Sequence, residues 1–141
     1  MWKWNFEAKA KTSASPERIW ETWTDVEHWP NWDHGLEWSS IKGPFATGTK
    51  VQLKPKKGPK VTGVILEVIP LESFTDVTHM PFTKVFFHHR LIKEGESWIL
   101  CHGIEIRGVL TPLLSRTMGR QIAREMPEAL HALINLAEGT K

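Results

Sequence analysis

Between residues 36 and 107 the chain reads as strand after strand, and one long stretch of helical period follows. That order constrains the fold more than any other feature. The strand candidates are 36–41, 48–54, 61–69, 73–79, 83–93 and 96–107. The second and third flank a basic loop, Lys54-Pro55-Lys56-Lys57-Gly58-Pro59, and the last two flank Glu94-Gly95, a tight-turn dipeptide. Strands joined by such short turns pair antiparallel. Ahead of them, Trp2, Trp4, Phe6, Ala8 and Ala10 alternate with Lys3, Asn5, Glu7, Lys9 and Lys11 over residues 2–12. This is the period of a half-buried strand.

The 83–107 hairpin can be read in register. With Glu94-Gly95 as a two-residue turn, Lys93 faces Glu96 and Lys84 faces Glu105, a favourable cross-strand charge pair. Phe86, His88 and Arg90 then share a face with Gly103, Cys101 and Ile99. Val85, Phe87, His89 and Leu91 share the other with Ile104, His102, Leu100 and Trp98. The second face is the more apolar and is expected to point inward. A slip of one residue would reverse the assignment.

Two helical regions frame the strands. Ser15 can cap a helix that Pro16 opens, with Glu17 facing the positive end of its dipole. Ile19, Trp23 and Val26 form its buried stripe, and Pro30 ends or kinks the region. Trp29, Trp32 and Trp38 bracket a connection of short helical turns and loop through Gly35. Near the C-terminus, Thr111 is the expected cap and Pro112 the first residue of the longest helix. Its apolar stripe runs Leu114, Met118, Ile122, Met126 (or Glu125), Ala129, Leu133 and Leu136. Pro127 is expected to kink it and Gly139 to stop it.

Composition narrows the function classes. Eight Trp and six Phe with no Tyr supply large rings that suit an interior wider than aliphatic residues would fill. A formal net charge of +2 is far from the polycation that nucleic-acid binding demands, so no nucleic-acid partner is expected. Cys101 is the only cysteine, which excludes an internal disulfide and a thiolate metal centre. No apolar run approaches the roughly 20 residues of a membrane span, and the N-terminal stretch lacks a signal peptide's apolar core. A cytoplasmic protein without a transmembrane segment is the expectation.

The order of elements comes with particular sequence words. These are Ser15-Pro16-Glu17-Arg18-Ile19-Trp20, Trp29-Pro30-Asn31-Trp32-Asp33 and Gly43-Pro44-Phe45-Ala46-Thr47-Gly48-Thr49. Phe74-Thr75-Asp76-Val77-Thr78 follows, then Gly119-Arg120-Gln121-Ile122 running into Pro127-Glu128-Ala129-Leu130. Together they resemble the SRPBCC or START-like superfamily, especially its bacterial polyketide cyclase/dehydrase-like branch. The resemblance implies an α+β helix-grip fold as a single domain over residues 1–141. In that fold a curved antiparallel β-sheet wraps a long C-terminal α-helix, with two short N-terminal helices. It also implies an internal cavity, in a superfamily spanning lipid carriers, hormone receptors, aromatase/cyclases and co-chaperone-like proteins.

The expected ligand-binding residues are Phe87, His89, Leu100, His102 and Ile104 on the sheet, and Met118, Ile122 and Met126 on the helix. Trp32, Met80 and Phe82 would sit in loops at the mouth. His89 and His102, one diagonal step apart in the register above, can both touch one ligand or act as acid/base candidates, or else be core histidines satisfied by neighbours. Neither a metal site nor a cofactor is expected, since no metal-binding spacing or phosphate-binding glycine loop occurs. Asp76 lies on a strand whose inward face the sequence leaves open. Cys101 faces outward and reads as inert. Lys54, Lys56, Lys57 and Lys60 crowd one hairpin tip, and Arg116, Arg120 and Arg124 form a helical stripe that is a solvated face or a surface for anions.

The reading is therefore a protein that binds a small hydrophobic or aromatic molecule, lipid- or polyketide-like, between sheet and helix. The alternatives are a cyclase/dehydratase-type enzyme and a co-chaperone-like interaction module. Phe86 and Ile99 on the outer face would suit a homodimer contact.

Overall fold

Two bulges and a run of tight turns bend the meander into the shape of a half-barrel. The computed structural model describes residues 2–139. Its elements are β1 (Lys3–Thr12), α1 (Pro16–Thr24), a 3₁₀ helix (Val26–Asn31), β2 (Leu36–Ile41), β3 (Lys50–Pro55), β4 (Val61–Ile69), β5 (Ser73–Met80), β6 (Thr83–Glu94), β7 (Ser97–Gly108), α2 (Thr111–Arg116) and α3 (Met118–Glu138). All seven strands form one antiparallel sheet in the order β1-β7-β6-β5-β4-β3-β2. The register shifts between Leu36 and Trp38 and between Ile65 and Glu67. Such bulges bend and twist the strands that carry them. The curved sheet wraps α3, with α1 and the 3₁₀ helix spanning from one sheet edge to the other. This is the helix-grip fold.

The N-terminal helix forms as its sequence dictates. Ser15 Oγ accepts the Arg18 amide at 3.2 Å, Pro16 opens α1, and Ile19 and Trp23 are its fully buried residues. Pro30 lies inside the 3₁₀ helix, which ends one residue later. In α3, Gly139 takes a left-handed φ of 77° at the C-cap, where its amide bonds back into the last turn. Glu138 ties that end to β1, accepting from the Thr12 hydroxyl at 2.7 Å and the Ser13 amide at 3.0 Å.

Three expectations are corrected. Glu94 pairs with Ser97, so the turn residues are Gly95 and Glu96. Gly95 takes φ 62°, the left-handed geometry this turn demands first, and the pairing moves by two residues. A shift of two preserves the faces but changes the partners. Lys84 faces Arg107, not Glu105, and His89 lies directly opposite His102. Glu105 is instead buried on the outer face, where Arg107, Lys3 and His88 surround it. Cys101 does face outward, yet it is fully buried under the side chains of that face, and burial pushes its thiol pKa up.

The second correction is the C-terminal helix, which is two helices. Thr111 lies inside α2 behind an N-cap at Leu110, whose amide the Thr83 hydroxyl accepts at 2.9 Å. Thr117, at φ −112° and ψ −95°, breaks the chain before α3, and α3 runs on through Pro127. The break lets α3 lie close on the sheet: a Cβ at Gly119 would stand 2.9 Å from the Trp4 ring and 3.2 Å from Ile106. Third, the buried stripe of α3 ends on Leu130, Leu133, Ile134 and Ala137, while Leu136 is exposed.

At Gly108 the chain leaves β7 with φ 128°, and an added Cβ would overlap the Phe82 carbonyl oxygen. Gly108→Ala is therefore expected to destabilise the fold by roughly 2 kcal/mol or more, because strain and clash act together. Urea unfolding measures it; a loss under about 0.5 kcal/mol would show that the β7–α2 junction is not constrained this way.

Candidate functional site

Because α3 presses on β1 and β7 at Gly119 and ties down at Glu138, it leaves uncovered the half of the sheet beyond β7, where the 3₁₀ helix packs on β2 and the Trp23 ring on Phe74. Between that half and α3 lies a cavity of about 370 Å³. Its floor is β5, β6 and β7, through Asp76, Thr78, Met80, Val85, Phe87, His89 and His102. Its roof is α3, through Met118, Gln121, Ile122, Glu125, Met126 and Ala129. The 3₁₀ helix and the loop after it supply Trp29, Trp32 and Asp33, and the β3–β4 hairpin supplies Leu53, Pro55, Lys56 and Lys57 at the rim.

Of the expected ligand residues, eight stand on this wall: Phe87, His89, His102, Met118, Ile122, Met126, Trp32 and Met80. Leu100 and Ile104 point inward but are sealed in the core at 0% and 1% exposure. Phe82 stands in the β5–β6 turn at 87% exposure, with φ 49°. It is not on the cavity wall.

His89 and His102 form the polar centre of the floor, with ring centroids 4.9 Å apart. Their protonation follows from their partners. The Trp23 indole N–H donates to His102 Nε2 at 3.1 Å, and burial drives the His102 pKa down to about 3. His102 is therefore neutral, with its proton on Nδ1. His89 stacks on Phe74 at 3.9 Å, and its Nδ1 lies 3.3 Å from the Phe74 carbonyl, which can only accept. Burial, then the neighbouring His102, holds the His89 pKa well below its ordinary value. Neutral His89 thus keeps a bare lone pair on Nε2. One ring offers a donor and the other an acceptor, and neither atom has a protein partner among the described residues.

Asp76 is the residue that sequence reasoning left unassigned. Phe74 is fully buried on β5, and strand alternation carries Asp76, Thr78 and Met80 to the same inner face. That alternation was the available signal. The Asp76 carboxyl has no hydrogen bond or ion pair among the described residues, and burial pushes its pKa up to about 7. Gly63, paired with Thr78, leaves room beside it. A carboxyl pair, Asp33 and Glu125, stands near the rim. Burial raises Asp33 to about 6 against the opposing Gly35 amide, and the Glu125 charge adds to the rise. The Trp32 indole nitrogen is buried with no hydrogen-bond partner among the described residues. No cluster of three metal-ligating side chains occurs among the described residues. No helix there is long and apolar enough to cross a membrane.

A helix-grip sheet enclosing an apolar cavity defines the class. Residues 3–138 match the family model described as polyketide cyclase / dehydrase and lipid transport, and the chain belongs to that family. Among solved structures, norcoclaurine synthase from Thalictrum flavum is similar with a TM-score of 0.76 at 14% identity, covering 99% of this chain and 96% of that one. The Zhui aromatase/cyclase from a Streptomyces species gives a TM-score of 0.72 at 18% identity, covering 97% and 94%. The protein TTHA0849 from Thermus thermophilus gives 0.73 at 14%, covering 96% and 97%. At these identities the likeness is one of fold. No curated protein matches the sequence.

The raised Asp76 pKa sets a sign for stability. Folding lifts it from 3.8 to about 7, so between those values the folded state holds more protons than the unfolded one. Stability contributed by Asp76 is thus present at low pH and is lost as pH rises toward 7. Asp76→Asn is expected to raise stability by roughly 2–4 kcal/mol at pH 8, with the gain vanishing near pH 4. Chemical denaturation across that range measures it, and a gain that does not depend on pH would refute the assignment. His102→Ala strands the Trp23 N–H in the core and should cost roughly 2–4 kcal/mol, whereas His102→Gln, which can still accept, should restore part of it.

Proposed function

We propose that this protein binds a small apolar or aromatic molecule in the cavity between sheet and α3. The observation that carries the reading is the placement of a free donor on His102 and a free acceptor on His89, side by side, in a wall otherwise built largely of Trp, Phe, Met and aliphatic side chains. A volume of about 370 Å³ falls in the size range of small-molecule sites. Burying ~250 Å² of apolar ligand contributes about 6 kcal/mol before entropic losses, which supports micromolar-to-millimolar affinity. Met118 and Met126 in the roof adapt to guests of different shape. A protein of the same fold, norcoclaurine synthase, has been solved in complex with dopamine and hydroxybenzaldehyde, both small aromatics.

A second reading, an acid/base enzyme of cyclase or dehydratase type, is favoured by one observation. Asp76 is a cavity carboxyl whose pKa sits near 7, where a general acid or base works best. Neutral His89 and His102 suit hydrogen bonding to a substrate better than proton abstraction. In this reading they orient the guest and Asp76 moves the proton.

Native mass spectrometry of the freshly purified protein, followed by titration of Trp fluorescence with small aromatics and lipids, tests the binding reading. A bound guest or saturable quenching is expected. Ile122→Trp, which fills the roof of the cavity, should weaken binding at least about tenfold with the fold intact. A chain that carries no guest and responds to none across both classes would refute it. For the enzymatic reading, turnover of a polyketide-like ketone should fall at least about a hundredfold in Asp76→Asn, with any residual turnover losing its pH dependence near 7, while binding persists.

A further inference from the structure

The most exposed of the large apolar side chains gather at one end of the molecule, apart from His89, His102 and Asp76. Phe82 is 87% exposed, Leu113 60%, Trp2 59% and Val109 59%. Backbone contacts bring their segments together. The Gly108 amide donates to the Trp2 carbonyl at 3.1 Å, and the Val109 amide donates to the Phe82 carbonyl at 3.1 Å. The Thr111 hydroxyl, at the start of α2, reaches the Trp2 carbonyl at 3.5 Å. Phe82 holds φ 49°, a conformation bulky residues avoid, and so spends backbone strain on presenting a ring to solvent.

A basic collar surrounds this cluster. Lys3, Arg107 and Lys84 lie directly opposite one another across β1, β7 and β6, forming a row at the strand ends. The carboxylate behind that row, Glu105, is buried beneath Lys3 and Arg107, whose nitrogens approach it at 3.2 and 2.6 Å. On the helical side stand exposed Arg116 and Arg120. Lys84, Arg116 and Arg120 have no ion-pair partner among the described residues.

We propose that this end of the molecule is a docking surface for an anionic lipid bilayer, with Trp2, Phe82, Val109 and Leu113 entering the headgroup boundary and the basic collar meeting lipid phosphates. An apolar anchor joined to a basic rim is the pair of signals that reversible membrane attachment requires. A second copy of this chain fits poorly, because a two-fold contact would set one collar against the other with like charges facing. Met80 and Met118, at the near end of the cavity wall, lie within two residues of Phe82 and one of the Thr117 break, so docking brings that end toward the bilayer. The surface stands independently of the cavity reading, and either can fail without the other.

The test is co-sedimentation of the full chain with phosphatidylcholine vesicles, with or without one-third phosphatidylglycerol, at low and high salt. Binding is expected to the anionic vesicles only, and to be lost in high salt. Each collar charge near such a surface changes affinity by roughly fivefold, so Lys84→Ala/Arg116→Ala/Arg120→Ala together should weaken binding about a hundredfold. Phe82→Asn keeps every charge and suits the positive φ, so it should fold at least as stably yet bind roughly tenfold more weakly. Wild-type protein left in the supernatant with anionic vesicles at low salt would overturn the proposal. So would unchanged binding by Phe82→Asn, or a wild-type dimer in sedimentation velocity that this substitution converts to monomer, which would assign the surface to a second copy.

Discussion

A Trp indole carries one hydrogen to give, and burying it without an acceptor costs free energy. Trp23 finds His102, and that 3.1 Å bond joins α1 to the inner face of β7 across the middle of the domain. Much of the interior follows from it. Trp23 packs edge-on against Phe74 and Trp20 at 5.5 and 6.0 Å, and Phe74 in turn carries the stacked His89 ring. The Trp29 indole donates to the Trp23 carbonyl at 2.9 Å, which fixes the 3₁₀ helix over the same ring cluster. By occupying His102 Nε2, the bond also decides which nitrogen of that ring remains for a guest.

The cavity is a consequence of where the rings stop. They fill the space beside α1 and the 3₁₀ helix, and α3 fills the space over β1 and β7, where Gly119 permits its closest approach. Farther along β5 and β6, at Asp76, Thr78, Val85 and Phe87, neither closes the space. The two faces of the sheet then handle charge in opposite ways. On the outside, burial alone would raise the Glu105 pKa, but hydrogen bonds from Arg107, His88 and Lys3 bring it down to about 2. On the inside, Asp76 has no such partners among the described residues, and its carboxyl is driven toward the neutral form. An acid driven toward its protonated form, in the same cavity wall as two neutral histidines, is an arrangement suited to holding a polar group of an otherwise apolar guest.

Strand and helix positions were legible because they rest on local patterning. The boundaries of β4 match the 61–69 segment, and Ser15, Pro16 and Gly139 cap and stop their helices as such residues do. The inward placing of His89 and His102 survived a mistaken register, since moving a pairing by two residues leaves every side chain on its own face. The partners themselves were not legible. Lys84 opposite Glu105 satisfied a charge argument, yet the turn obeyed Gly95, because backbone strain at a positive φ outweighs one exposed ion pair. The break at Thr117 left no mark in the helical period, for it answers to the fit of Gly119 against Trp4 and Ile106, residues distant in sequence.

What the sequence determined by itself was the element order, the faces of β1, β6 and β7, and the family, since alternation, helical period and capping are properties of neighbours along the chain. Tertiary structure alone decided that Asp76 would lose its water without gaining a partner, that Glu105 would be held by three nitrogen-bearing neighbours, and that Phe82 would leave the interior for the surface. The reason is the same in each case. Burial, desolvation and ion pairing depend on what stands across a gap in space, and residues that meet there are far apart in the chain.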